Sequence, residues 1–244
     1  MIMLSSEELE IYTRQLGIAS WGTDVQEKLK RSKAFIAGCG GLGSPVLYYL
    51  AAAGVGTLIL CDFDIIEPSN LNRQILHRYE SIGKPKVESA RNAIRGMNPF
   101  IITETRKAKM TGSNAADLVG NADIIIDCLD SFASRHILNR LSVSRGIPMI
   151  HAGVSGFMGQ VTLFHPPETP CLACIIPGKK VQSNRSIAGV TPGVIGSIQA
   201  MEAVKYLGGI GDSLKGRMLF FDGVTMKFET VFITKNPRCR VCAK

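Results

Sequence analysis

Four of the seven cysteines stand in two pairs with C-x-x-C spacing, Cys171 with Cys174 and Cys239 with Cys242. Four thiolates are the ligand set of a closed tetrahedral Zn²⁺ site, which leaves no coordination position for water. We therefore expect a structural zinc site that ties the segment around residue 240 to the body of the protein and contributes on the order of 10 kcal/mol to folding. The alternative is a redox pair, in which one C-x-x-C acts alone at the start of a helix.

The segment Gly38-Cys-Gly40-Gly41-Leu-Gly43 fits the pattern G-x-G-x-x-G and lies between a predicted strand and a predicted helix. Glycines let backbone N–H groups approach a phosphate, and the positive N-terminus of the following helix attracts it. Asp62 ends the next predicted strand, where a carboxylate can hold a ribose hydroxyl. Together these features indicate a nucleotide site; the alternative is a tight turn without a ligand.

Asp130 follows another predicted strand, and the carboxyl ends of parallel strands open into the same crevice. Phosphates repel a carboxylate unless a divalent cation lies between them, and Mg²⁺ binds one or two carboxylates together with phosphate oxygens. Asp130 is therefore the candidate Mg²⁺ ligand. Its alternative role is to cap the helix that starts near Ser131.

Cationic and amide side chains gather on two segments that follow Asp62. Pro85 favours the first turn of a helix. This places Lys86 at a helix N-terminus, where a cation is disfavoured by about 0.3–1 kcal/mol unless an anion binds beside it. Lys86 is thus a candidate phosphate contact, with an exposed lysine as the alternative. Arg73 can bind phosphate oxygens through two donors at once, and polar side chains surround it at Ser69, Asn70 and Gln74.

Strands and helices alternate up to about residue 152, and the strand at 123–128 shows no polar alternation. A strand without polar alternation is typical of a parallel sheet covered on both faces. We therefore expect an α/β fold with a doubly wound, Rossmann-like sheet. Beyond residue 153 we expect a mixed or antiparallel extension of that sheet. Its predicted elements are strands at 160–165, 217–222 and 227–233, a turn-rich loop at 178–193 and a helix at 197–207.

The composition is that of an ordinary globular protein, with 244 residues, 45% of them hydrophobic, and a mean hydropathy of +0.15. No linker divides it, so we expect a single domain over residues 1–244, with a nucleotide-binding part at about 1–152 and a second part at about 153–244. No apolar run approaches the roughly 18 residues of a membrane span, and no secretory signal is evident. We therefore expect a cytoplasmic protein. The net charge of +8 attracts acidic partners without distinguishing nucleotides, nucleic acid and protein.

Many separated motifs resemble those of the ubiquitin-activating-type adenylyltransferases of bacteria and archaea, the HesA/MoeB/ThiF-like proteins. The resemblance runs from about Glu10 to Cys242 and is greatest to the members that activate sulfur-carrier proteins for molybdopterin or thiamine biosynthesis. Besides both cysteine pairs, the motifs are Tyr12-Thr-Arg14-Gln15, Gly38-Cys-Gly-Gly-Leu-Gly43, Asp62-Phe-Asp64, Ser69-Asn-Leu-Asn-Arg73-Gln74, Gly83-Lys-Pro-Lys86-Val-Glu-Ser, Asp127-Cys-Leu-Asp130 and Gly193-Val-Ile-Gly-Ser-Ile-Gln-Ala-Met-Glu202.

The resemblance implies ATP-dependent adenylation of the C-terminal Gly-Gly carboxylate of a ubiquitin-like sulfur-carrier protein, with release of pyrophosphate. It implies ATP, Mg²⁺ and Zn²⁺ as bound species, and a homodimer in which Arg14 reaches the partner's ATP. The catalytic residues it implies are Arg14, Arg73, Lys86 and Asp130. The residues it places around the nucleotide are Gly38, Gly40, Gly41, Gly43, Asp62, Asp64, Ser69, Asn70, Arg73, Gln74, Lys86, Asp130 and Ser131. The basic charge then suits an acidic carrier, and we expect no nucleic-acid partner and no membrane partner.

The chain departs from the family pattern at two places. Family members commonly carry asparagine where this chain has Ser131, and many carry a cysteine in the loop after the first zinc pair. Here the stretch from Ile175 to Arg238 contains no cysteine, and Arg185 or a neighbour stands at the expected place. We therefore predict adenylation without a covalent carrier–enzyme intermediate through that loop, and a separate sulfur donor that acts on the adenylate.

Three other functions fit parts of the sequence. A tRNA-base dehydratase of the same fold, which adenylates an RNA base, is mildly favoured by the basic charge. An NAD-dependent oxidoreductase shares the glycine turn and Asp62, but it explains neither the cationic residues nor the four cysteines. A non-catalytic partner-binding protein with this fold would not require the residues that bind ATP.

Overall fold

A computed structural model describes residues 4–177 and 186–243 of the chain. In these ranges the strands are β1 Lys33–Ala37, β2 Thr57–Cys61, β3 Ile102–Arg106, β4 Ile124–Asp127, β5 Met149–Ser155, β6 Met158–Phe164, β7 Arg217–Asp222 and β8 Lys227–Phe232. The helices are α1 Ser6–Ile11, α2 Thr13–Leu16, α3 Gly22–Arg31, α4 Gly43–Ala52, α5 Lys86–Met97, α6 Ala115–Val119, α7 Phe132–Arg145, α8 Leu172–Ile175 and α9 Val190–Gly208. The strands form one sheet in the order β3-β2-β1-β4-β5-β6-β7-β8.

The first half of the sheet is parallel. β1 lies between β2 and β4, with Ala34 aligned with Leu58 on one side and Ile124 on the other, and β3 and β5 continue the parallel pairing outwards. Every residue of β2 and β4 is buried, because helices cover both faces of the sheet. The predicted doubly wound α/β fold is confirmed, and the carboxyl ends of β1, β2 and β4 share one edge.

The second half of the sheet is antiparallel, running from β5 through β6 and β7 to β8. β6 is buried over its last four residues, whereas β8 at the edge of the sheet is mostly exposed. The antiparallel extension predicted beyond residue 153 is confirmed.

The helices form two layers on the sheet. Helices α3, α4, α5 and α9 pack on one face, and α6, α7 and α8 pack on the other. Helix α9 approaches α4 so closely that a Cβ on Gly196 would lie 2.6 Å from the carbonyl oxygen of Leu42. None of the helices within residues 4–177 and 186–243 combines the length and the apolar content needed to cross a bilayer.

Helix α9 differs from its prediction. It begins at Val190 instead of near Ser197, because Pro192 stands in its first turn, where the missing N–H breaks no helical hydrogen bond. The helix therefore takes in the last four residues of the loop predicted at 178–193. Residues 178–185 of that predicted loop, Arg185 among them, lie outside the described ranges.

Candidate functional site

The glycine turn closes the carboxyl end of β1. Gly38 has a φ of +99°, and a Cβ there would lie 2.8 Å from the carbonyl oxygen of Cys128. Both the backbone conformation and the space therefore require glycine. A Cβ on Gly43, the first residue of α4, would collide with the carbonyl oxygen of Gly38. The turn is thus tight enough to bring the positive N-terminus of α4 to the edge where the parallel strands end.

The two middle glycines bring distant segments to this turn. A Cβ on Gly41 would lie 3.3 Å from Pro192 of α9 and 3.5 Å from Cγ of Arg73. A Cβ on Gly40 would lie 3.6 Å from Nε2 of Gln74, whose buried Oε1 has no hydrogen-bond partner in the described parts of the chain. The turn and the polar segment singled out in the sequence therefore border the same space, together with the N-terminus of α9.

Asp62 follows β2, and two backbone N–H groups hold its carboxylate. Oδ2 accepts a hydrogen bond of 2.8 Å from the Cys39 N–H, and Oδ1 accepts one of 2.9 Å from the Asp64 N–H. Burial raises the pKa of Asp62, and these two hydrogen bonds oppose that rise. Each carboxylate oxygen can accept a second hydrogen bond, so Asp62 stands beside the turn with acceptor capacity left for a ribose hydroxyl.

Lys86 is the first residue of α5 and is buried, so the alternative of an exposed lysine is wrong. Its Nζ lies 3.0 Å from Oδ2 of Asp64. An anion was expected beside Lys86 at the N-terminus of α5. In the structure that anion is the carboxylate of Asp64. The Asp64 side chain is 47% exposed, so it can move aside or share Lys86 with a phosphate.

Arg73 is oriented by its own segment. Its Nη1 donates to the carbonyl oxygen of Ser69 and to Oδ1 of Asn72, both at 2.9 Å. Asn70 is buried, and its Oδ1 accepts a hydrogen bond of 3.1 Å from the Glu67 N–H. A guanidinium carries five N–H donors, so Arg73 keeps donors for an anion beside Gly41.

Asp130 lies three residues beyond β4 and is exposed. Ser131 is the N-cap residue of α7 and forms no side-chain cap hydrogen bond. No hydrogen bond or ion pair joins the Asp130 carboxylate to the described parts of the chain either, so the alternative that it caps this helix is not borne out. An exposed carboxylate at the end of a strand, next to a glycine turn, fits the oxygen ligands that Mg²⁺ takes.

The loop that carries Asp130 rests on a buried charged network that the sequence analysis missed. Asp127 accepts a hydrogen bond of 2.7 Å from Nδ1 of His151, and Nε of Arg135 lies 3.8 Å from the same carboxylate oxygen. Arg135 donates through Nε, at 3.0 Å, and through Nη2 to the carbonyl oxygen of Leu129. The feature of the sequence that could have indicated this network is Asp127, a charged residue at the end of an otherwise apolar strand.

His77 forms a second buried contact that sequence reasoning did not identify. Its Nε2 lies 2.9 Å from the carbonyl oxygen of Cys39, and its Nδ1 lies 3.0 Å from Oγ of Ser89 on α5. A carbonyl oxygen only accepts, so Nε2 carries the proton and Nδ1 accepts from the hydroxyl. Burial lowers the pKa of His77, and the neutral ring ties α5 to the glycine turn.

Arg14 lies on α2 and is exposed. The neighbouring Gln15 donates a hydrogen bond of 3.0 Å to the carbonyl oxygen of Ala53, just beyond the C-terminal end of α4. An α-helix of the length of α4 spans about 15 Å, and the glycine turn lies at its other end. The structure therefore does not bring Arg14 to the other predicted site residues of its own chain.

The four paired cysteines meet beside helix α7, and all four sulfurs lie within 4.8 Å of one another. Individual distances are 3.7 Å between Cys171 and Cys239 and 3.3 Å between Cys174 and Cys242. Asn139 of α7, which is buried, donates to Sγ of Cys171 at 3.6 Å and accepts from the Leu172 N–H at 2.8 Å. Four converging thiols with such a supporting hydrogen bond fit a tetrahedral zinc ion.

The other three cysteines, Cys39, Cys61 and Cys128, are buried. Burial raises the pKa of Cys61 to about 12 and raises the pKa of Cys39 and Cys128 well above the usual range. A thiol is nucleophilic only as the thiolate, so these three side chains behave as small apolar groups.

Comparisons with known proteins place this arrangement in a family. The ThiF family matches residues 12–241. The chain is 38% identical over 249 residues to the molybdopterin-synthase adenylyltransferase of Escherichia coli (strain K12), covering 100% of both chains. It is 36% identical to the sulfur carrier protein adenylyltransferase of Thermus thermophilus, covering 98% of this chain and 92% of the relative.

Among solved structures, E. coli MccB crystallised with ATP is similar, with a TM-score of 0.87 and 28% identity over 98% of this chain and 75% of that one. The identity and coverage of the curated relatives agree with the family match and with the resemblance noted in the sequence. The predicted family is therefore confirmed, and the chain belongs to the ThiF family.

Proposed function

We propose that this chain is an adenylyltransferase that uses ATP to activate the C-terminal carboxylate of a ubiquitin-like sulfur-carrier protein. The observation that carries the proposal is the meeting of the glycine turn, Asp62, Arg73 and the N-terminus of α9 at the carboxyl edge of the parallel strands. The names of two relatives, a sulfur carrier protein adenylyltransferase and a molybdopterin-synthase adenylyltransferase, support this choice of reaction and acceptor.

In this reaction an oxygen of the carrier's terminal carboxylate forms a bond with the α-phosphorus of ATP. The bond between that phosphorus and the oxygen bridging to the β-phosphate breaks, and pyrophosphate leaves with the electron pair. The product is an acyl-adenylate at the carrier's C-terminus. Because an anion must approach another anion, the site has to align the two reactants and neutralise their charge.

Different residues around the glycine turn align the reactants and neutralise their charge. Gly38 and Gly41 allow close approach of the backbone to the phosphates, and Asp62 accepts from the ribose. Arg73 and Lys86 place two cations beside the turn, and Arg73 has the geometry to bind two phosphate oxygens at once. Lys86 has three N–H donors, so it can bind a phosphate oxygen while Asp64 keeps or releases its 3.0 Å contact.

Asp130 would hold Mg²⁺ at this edge. The ion supplies charge neutralisation on the phosphate oxygens. What the chain contributes is an exposed carboxylate at a fixed place in the loop after β4, near the turn that binds the phosphates. Ser131 offers a hydroxyl at the next position.

Arg14 would complete the site from a second copy of the chain. It is exposed and lies near the end of α4 that is remote from its own glycine turn. This placement supports a homodimer in which each Arg14 acts on the partner's ATP. An arginine supplied in this way accelerates GTP hydrolysis by about 10³–10⁵-fold in GTPases.

The cysteine cluster would hold a structural Zn²⁺ ion, with all four coordination positions occupied by thiolates. The three remaining cysteines are buried, and the stretch from Ile175 to Arg238 contains none. We therefore propose that adenylation proceeds without a covalent carrier–enzyme intermediate through the loop after the first cysteine pair. A separate sulfur donor then acts on the acyl-adenylate.

The test is ATP–pyrophosphate exchange with purified chain, Mg²⁺ and a carrier protein that ends in Gly-Gly. We expect radiolabel from pyrophosphate to enter ATP only when the carrier is present, and to be lost when its last glycine is deleted. Exchange that requires tRNA instead of the carrier would establish the dehydratase-type reaction and overturn the proposal.

A variant test addresses the metal ligand. Asp130→Ala should lower the exchange rate by at least about 10²-fold, the usual cost of removing one group that stabilises developing charge. Asp117→Ala, at an exposed position of α6, is the matched control and should leave the rate unchanged. Equal rates for the two variants would remove Asp130 from the mechanism.

A further inference from the structure

Two buried charged residues hold the backbone of Leu129, the residue that precedes Asp130. The Leu129 N–H donates to Oδ1 of Asp127 at 3.1 Å. The Leu129 carbonyl oxygen accepts from both Nε and Nη2 of Arg135. That oxygen belongs to the same planar unit as the Asp130 nitrogen, so fixing it fixes the direction in which the chain enters Asp130.

Arg135 is itself held in place by its surroundings. Its side chain is only 7% exposed and its guanidinium lies 5.2 Å from the centre of the Phe132 ring. Oδ2 of the fully buried Asp127 carboxylate lies 3.8 Å from Nε, and the same oxygen accepts a hydrogen bond from Nδ1 of His151. Burial lowers the pKa of His151, so the network consists of one cation, one anion and a neutral ring. Its charge is balanced, and a long flexible side chain is reduced to a single orientation.

Asp130, in contrast, is exposed and makes no hydrogen bond within residues 4–177 and 186–243. Its position is therefore set by its backbone, and its backbone is set by Arg135. We propose that Arg135 is a positioning residue for the nucleotide site, which acts through the Leu129 carbonyl to aim the Asp130 carboxylate at the metal that accompanies the nucleotide. This inference rests on the proposed function, since it gives Asp130 its role in binding Mg²⁺ with ATP.

The experiment measures the Kd of ATP by calorimetry in the presence of Mg²⁺ and in its absence, without carrier protein, so that no turnover is needed. The quantity of interest is the magnesium gain, defined as the Kd without Mg²⁺ divided by the Kd with Mg²⁺. Arg135→Gln removes the charge and the fork of donors. We expect it to reduce the magnesium gain by at least about tenfold, the lower end of what loss of a residue supporting a metal ligand costs, and to leave the Kd without Mg²⁺ unchanged.

Two further variants separate positioning from a general effect on the fold. Arg140→Gln removes the same charge from an exposed position of the same helix and should retain the wild-type gain. Arg135→Lys keeps the charge opposite Asp127 but can offer only one hydrogen bond to the carbonyl in that direction. It should show a magnesium gain between those of the wild type and Arg135→Gln. If Arg135→Gln does not fold, the gain of Arg135→Lys tests the proposal instead.

The outcomes are distinct. If Arg135→Gln melts at a lower temperature but, while folded, shows the wild-type magnesium gain, Arg135 is only structural and the proposal is overturned. If Arg135→Gln does not fold, a wild-type magnesium gain for Arg135→Lys leads to the same conclusion. A reduced gain for Arg135→Gln with no change for Arg140→Gln supports it.

Failure of the underlying function is recognised separately. Asp130→Ala should bring the magnesium gain close to one. If it keeps the wild-type gain, Asp130 does not bind the metal, whatever the result at Arg135, and the proposed role of Arg135 is withdrawn with it.

Discussion

The nucleotide site and the cysteine cluster are built in opposite ways. At the cysteine cluster, four thiols lie within 4.8 Å of one another and Asn139 supports one of them, so the ligand set is complete in a single chain. At the nucleotide site, Asp130 and Arg14 are exposed and Lys86 is paired with a carboxylate of the chain. The charged groups of the nucleotide site are held in place by the fold, but they do not converge on one another as the four thiols do.

This difference separates two kinds of function. A closed ligand set holds an ion permanently and stabilises the folded chain. An open set of charged groups costs stability unless a ligand arrives, and it can bind and release substrates. Helix α7 touches both regions, because Arg135 holds the loop with Asp130 and Asn139 lies one turn further along, against Cys171.

The largest expected effect lies at the closed site. Replacing both Cys239 and Cys242 with serine should abolish binding of one zinc ion per chain and remove a contribution on the order of 10 kcal/mol to folding. Zinc content by mass spectrometry and urea unfolding measure the two effects. Cys61→Ala, outside the cluster, is the control for loss of a buried thiol and should keep its zinc. A serine variant that still binds a full equivalent of zinc would show that the cluster is not the metal site.

The second effect concerns the incomplete site. Arg14→Ala and Lys86→Ala should each be inactive alone. For Arg14 the expected loss is about 10³–10⁵-fold, the rate contribution of an arginine that acts from a partner subunit where it has been measured. In an equal mixture, half the dimers are mixed, and each contains one complete site. Pyrophosphate exchange should therefore recover to about a quarter of the wild-type rate. An inactive mixture whose subunits have exchanged would show that Arg14 does not act across the dimer.

A smaller effect is expected from the residue that supports the cluster. Asn139→Ala removes the donor to Cys171 and the acceptor for the Leu172 N–H, and should weaken zinc binding by about 10–100-fold. Competition with a zinc chelator measures the change. Asn92→Ala, at an exposed position of α5, should compete as the wild type does. Equal zinc affinity for the two variants would limit Asn139 to packing.

The smallest effect is the pH dependence of stability. Burial lowers the pKa of His151 in the folded chain, so the unfolded chain takes up a proton that the folded chain excludes. Stability from this source is fully present above the unfolded pKa of about 6.5 and declines as the pH falls below it. His151→Asn keeps an N–H donor for Asp127 but does not titrate, so urea unfolding should show a shallower loss towards acid. An identical slope for both proteins would assign the acid sensitivity to other groups.

Sequence patterns predicted the parts of the molecule in which local chemistry determines the outcome. The glycine turn follows from the steric limits on Gly38 and Gly43, and the apolar strand before Asp127 indicated a covered parallel sheet. The pairing of Cys171–Cys174 with Cys239–Cys242 followed because four thiolates form one complete ligand set.

Other features depend on contacts that only the strand order creates. Lys86 pairs with Asp64 because a backbone bridge joins Ile65, in the segment after β2, to Pro85, just before α5. His151 reaches Asp127 because β4 and β5 are neighbours. The start of α9 was placed too late, because Pro192 and Gly193 indicate a turn locally while packing on α4 favours a helix. The role of each site residue stays a prediction, to be tested as described.

The most direct test of the central claim is mass spectrometry of a carrier protein ending in Gly-Gly after incubation with this chain, ATP and Mg²⁺. We predict that the carrier gains the mass of one AMP on its terminal glycine and that pyrophosphate appears in equal amount. A carrier of unchanged mass, with ATP bound to the chain but not cleaved, would contradict the assignment of adenylation to this site.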